Sequence, residues 1–129
     1  MLVRREWMLL ALLLTAPMAT ATGNVITDWD EKAIALAPGT VVPSPTTPTA
    51  LRTTAMLHLA MFDAVNSIEH RYKPDGVQLV AAPDTSREAA AVSAAAAVLT
   101  ELVPKAAAQI QAAETSYLAK LPDGAAKSG

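Results

Sequence analysis

The sequence predicts an all-α chain: a partial helical bundle of about four helices behind a cleaved signal peptide. Three observations lead there. Hydrophobic residues make up 52% of the 129 residues, and 28 of these are alanine, the best helix former. Apolar residues recur at spacings of three and four between breaks that carry proline or glycine. The amino-terminal segment, Met1 to Ala21, follows an export pattern and stands apart from the fold.

That export pattern comes first in chain order. Arg4 and Arg5 form a basic start, Trp7–Ala16 (WMLLALLLTA) an apolar run of ten, and Ala19-Thr20-Ala21 a small-residue cleavage site. A membrane span needs about 20 apolar residues, so no stable membrane span is expected and cleavage after Ala21 is. The chain is expected to be exported, to a periplasmic or extracellular location. Residues 1–21 are therefore the signal peptide and residues 22–129 the folded region. That region carries 8 basic and 11 acidic residues, with no run of five like charges. Such a balance gives no footprint for nucleic acid. The absence of cysteine excludes disulfides, thiolate metal sites and cysteine nucleophiles.

The first helix is expected to open at Thr27, with Asp30 and Glu31 favourable at the positive end of its dipole. Trp29, Ala33, Ile34 and Ala37 continue it to the stop at Pro38-Gly39. The Pro- and Thr-rich stretch 38–49 reads as an extended strap, because proline lacks a donor and restricts its predecessor. A long helix follows from Thr49 to about His70. Leu51, Ala55, Leu59, Phe62, Val65 and Glu69 step by three and four, while Met56, Leu57, Ala60, Met61, Ala64 and Ile68 cover much of the remaining circumference. A helix apolar nearly all round expects neighbours on several sides. Only 28 larger apolar residues remain in 22–129 to provide them. Met56, Leu57, Met61 and Ile68 are expected to form an exposed patch that invites self-association or a missing domain.

Tyr72–Gly76 is a turn cluster, and residues 77–83 suit an extended segment. Thr85-Ser86-Arg87-Glu88 has the form of a capping box for an alanine-rich helix ending near Val103. Pro104 then suits the first position of a last helix carrying Ile110, Tyr117, Leu118 and Leu121 to the stop at Pro122-Asp123-Gly124.

The polar residues of the long helix invite a test for a metal site. With His58 at 0° and about 100° per residue, Asn66 falls near 80°, His70 near 120° and Asp63 near 140°. They share an arc, yet His58 and His70 stand about 18 Å apart along the axis and Asp63 and His70 about 10 Å. Ligands of one metal lie roughly 2 Å from it. The group is therefore read as a structural polar seam, bonded to backbone or to adjacent helices. Asp28 and Asp30 are read as helix-terminus residues and not as an acid–base pair. No phosphate-cradling glycine loop or nucleophile elbow is present. No catalytic, cofactor-binding or metal-binding residue is assigned.

The segments NVITDWDEKAIAL (Asn24–Leu36) and LRTTAMLHLAMFDAVNSIEHRYKP (Leu51–Pro74), with the closing LPDGAAKSG, resemble the amino-terminal region of bacterial vanadium-dependent haloperoxidase-like proteins. These belong to the type 2 phosphatidic acid phosphatase superfamily. The similarity runs over essentially all of residues 22–129. It implies an all-α bundle and, for the full-length family, a bound vanadate at which peroxide oxidises halide, its charge stabilised by cationic side chains. The family's anion ligands come from a lysine–arginine motif, a Ser-Gly-His motif and an arginine–histidine motif downstream of the matched region. These 129 residues contain none of them, and Ser128-Gly129 follows Lys127 and has no histidine after it. The expectation is a catalytically empty amino-terminal fragment, without a cofactor of its own, that awaits a carboxy-terminal helical domain. A phosphatase of the same superfamily would leave the same trace, and a small exported helical binding or assembly module is the reading from a different class.

Overall fold

The computed structural model describes residues 24–36, 48–74, 79–82 and 84–122. The signal-peptide reading, most of the strap, the glycine stops and Ser128-Gly129 lie outside them. The described residues form four α-helices and no strand: α1 (Val25–Leu36), α2 (Pro48–Glu69), α3 (Arg87–Leu102) and α4 (Ala107–Leu118). A 3-10 turn, Pro104–Ala106, leads into α4, with proline at its first position as expected.

Two helix starts differ from the expected ones, for related reasons. α1 is capped by Asn24, whose Oδ1 accepts from the N–H groups of Ile26 and Thr27 at 2.9 and 3.2 Å. Thr27 is the reciprocal partner, its Oγ1 accepting from the Asn24 N–H at 3.0 Å. The pair closes a capping box one turn before the expected start. At α3 the cap is Ser86, which accepts from Ala89 N–H at 3.2 Å, and not Thr85. Glu88 therefore falls in the first turn without closing the box. It still meets the positive end of the dipole.

The core gathers Trp29 and Ala33 of α1, Leu57 and Met61 of α2, five residues of α3 and Ile110 of α4. α3 is the hub, packing on each of the other helices, while α1 also lies along α2. Ala91, Val92, Ala95, Ala96 and Leu99 present mostly methyl groups, so neighbouring backbones can approach closely. Residues 79–82 have no regular structure. The Ala81 N–H donates to the Ser67 carbonyl at 3.1 Å and ties this segment to α2.

α2 carries two apolar faces, and the structure reverses part of the expected exposure. Leu57 and Met61 are fully buried and Ile68 partly so, which leaves Met56 as the exposed member of the expected patch. Taking Leu57 as 0°, four of the five buried residues of α2, Ala50, Thr53, Leu57 and Met61, fall within about 40° on either side, while Asn66 lies near 180° and is bonded to Tyr72. The exposed Leu51, Phe62 and Leu59 lie at about 120°, 140° and 200°. Periodicity marks both faces. Only the position of α3 decides which is covered.

Candidate functional site

α2, the turn that follows it and the neighbouring edge of α1 bring together the polar residues of the seam. An apolar groove of about 280 Å³ runs along this edge, lined by Ile26, Met61, Phe62, Val65 and Tyr72, with His58, Asn66 and Glu69 at its margins. The Phe62 and Tyr72 rings form part of its wall, their centroids 5.9 Å apart at 41°. A smaller cleft of about 80 Å³ lies around Asp63, Asn66, Ser67 and His70.

The histidines sit in separate settings. His58 Nε2 donates to Asp30 Oδ1 at 3.1 Å and links α2 to α1 at a partly exposed site. His70 follows the last residue of α2 at φ 51°, its N–H donating to the Asn66 carbonyl at 2.7 Å and its Nδ1 to the Ile68 carbonyl at 3.2 Å. Asn66 is buried, and both ends of its amide are bonded. Its Nδ2 donates to the Tyr72 carbonyl at 2.8 Å, and its Oδ1 accepts from the Tyr72 N–H at 2.9 Å. The side-chain amide thus pairs with one residue's backbone as a neighbouring strand would, and fixes the exit from α2. Arg87 donates to the Glu69 carboxylate, joining the end of α2 to the start of α3.

His58, Asn66 and His70 of the seam are therefore bonded to an adjacent helix or to backbone. Among the described residues, no group of three or more acidic, histidine or cysteine side chains could hold one metal ion. Asp28 lies in the first turn of α1 as expected, and its charge reaches Tyr117 of α4. Burial pushes the Tyr117 phenol above its ordinary value, with the negative charges of Asp28 and Glu88 adding to the effect.

Two features leave no mark in the sequence. Asp30 is a partner of His58 rather than a terminus residue, and nothing local signals a pair 28 positions apart. The sequence places Tyr72 in a turn, but its role as both wall of the groove and clamp of Asn66 depends on how that turn folds back. No helix among the described residues is long and apolar enough to cross a membrane. Comparison with family models, curated proteins and solved structures finds no match to this chain.

Proposed function

We propose that residues 22–129 are the amino-terminal helical scaffold of an exported vanadium-dependent haloperoxidase-like protein, with no catalytic group of their own. One observation carries the reading: four polar residues of the resembling segments, Asp30, His58, Asn66 and Glu69, are engaged in holding a helix to its neighbour or to its exit turn. Asp30 and His58 join α1 to α2, Asn66 clamps Tyr72, and Glu69 anchors α3 through Arg87. A region that belonged to the scaffold of a larger site would use its polar groups in this way. Trp29, from the same segments, fills the centre of the core. In the full-length family the anion-binding cations would come from sequence that follows.

Reading the gene beyond the codon for Gly129 tests the assignment. Continuation into lysine–arginine, Ser-Gly-His and arginine–histidine motifs is expected. A stop followed by unrelated sequence would overturn it. The chain alone, given vanadate, peroxide and bromide, should show no turnover above a heat-treated control. Export is proposed on the apolar run and the Ala-Thr-Ala site. Sequencing of the exported protein should begin at Thr22, whereas intact Met1 in washed membranes would show an anchor.

A further inference from the structure

We infer that the uncovered stripe of α2 is a self-recognition surface on which a second copy of this chain packs antiparallel, Leu51 of each copy seated in the other's groove. The stripe runs Leu51, Ala55, His58, Phe62, Val65, at alternating spacings of four and three, which is the seam of a paired helix; its first four members are exposed, His58 also reaching Asp30 of α1, and Val65 is half-buried against the core. Leu51 is the most exposed large apolar side chain of α2, at 56%. The groove between Ile26, Phe62, Val65 and Tyr72 lies near the opposite end of the same stripe. One helix thus carries a knob at one end and a hole at the other.

That layout is self-complementary only in the antiparallel sense. A two-fold axis between His58 and Leu59 sets Leu51 level with residue 66 of the other copy, where the groove lies, and sets the small Ala55 against the large Phe62. A parallel pairing would set Leu51 level with Leu51 and groove level with groove, leaving both grooves unfilled.

The size of the surface is adequate. Ile26, Leu51, Leu59, Phe62 and Tyr72 are all exposed. With roughly 200 Å² for each large side chain, they offer roughly 500 Å² of apolar surface per copy. Doubled, and with its polar rim added, this approaches the ~1,200 Å² at which specific interfaces begin. Failure of the dimer would leave the scaffold reading intact, because that reading rests on the bonded polar residues.

Sedimentation equilibrium of the exported chain over a concentration series is expected to show a monomer–dimer equilibrium. Leu51→Glu should weaken it by about tenfold or more, as for an apolar anchor seated in a pocket, with helicity by circular dichroism unchanged. Should that variant lose helicity, cysteine cross-linking decides, since the chain has no cysteine of its own. A mixture of Ala55→Cys and Phe62→Cys chains should form a covalent dimer on mild oxidation. Ala55→Cys alone should not, because its two copies lie about 10 Å apart along the axis, beyond the reach of a disulfide. A monomer at every concentration, a dimer indifferent to Leu51→Glu in a folded chain, or ready cross-linking of Ala55→Cys to itself would each overturn the inference. A monomer whose stripe is protected from solvent labelling would do so in favour of a cover from its own chain.

Discussion

His70 ends α2 in the left-handed region, where a side chain other than glycine costs about 1–2 kcal/mol. Two bonds hold it there: its N–H to Asn66 and its ring to Ile68. Glycine would remove the steric cost, lose the ring contact and add about 0.5–1 kcal/mol of unfolded-state entropy. His70→Gly is accordingly expected to be neutral or to stabilise by up to about 1 kcal/mol, whereas a β-branched His70→Val should destabilise by about 1–2 kcal/mol. Urea midpoints of the three chains check the order, and a His70→Val chain as stable as the parent would contradict it. Asn66 next to it illustrates how much one buried amide can fix. Without its pair of bonds, the backbone N–H and carbonyl of Tyr72 would both lose their partner, and the wall of the groove would lose its anchor.

α2 shows where sequence periodicity stops being informative. Its helical character and its extent are legible, from the spacing of apolar residues and from the proline-rich stretch before it. Its orientation is not, because the Leu57–Met61 face and the Leu51–Phe62 face are both apolar. Substitution separates them. Leu57→Ala should cost about 2–5 kcal/mol through the cavity it leaves, while Leu59→Ala, measured at a concentration where the chain is monomeric, should stay within about 0.5 kcal/mol. Equal losses at the two positions would mean that both faces are covered. The caps show the same limit on a shorter scale. Asn24 and Thr27 are both capping residue types, as are Thr85 and Ser86, and backbone geometry alone selects Asn24 and Ser86. Thr85 is buried instead, its hydroxyl without a partner.

Across the whole molecule, α4 closes the bundle over α1 and α3, and Tyr117 registers that closure. Its phenol is raised by burial and by Asp28 and Glu88. A group whose folded value lies above its unfolded one contributes stability that is fully present below the unfolded value, about 10. That contribution is lost as pH rises through the folded value. Stability should therefore fall in alkaline solution above about pH 10, and Tyr117→Phe should flatten that fall. Thermal midpoints from pH 8 upward check it, and an unchanged alkaline slope in the variant would contradict it. The candidate site was legible only as a negative: spacing along α2 separates its histidines, but the His58–Asp30 bond and the groove depend on how α1 crosses α2. Tertiary placement of this kind leaves no local trace.

Trp29 gives the molecule a built-in optical probe. It is fully buried, and its indole nitrogen has no hydrogen-bond partner. The other tryptophan, Trp7, lies in the segment proposed to be removed on export, so all indole emission of residues 22–129 would come from one residue. An indole held away from water and from acceptors emits toward the blue, and its colour reports the environment of α1 without an introduced label. Packing of α1 on α3 can thus be followed in real time by fluorescence, separately from the helical content that circular dichroism reads.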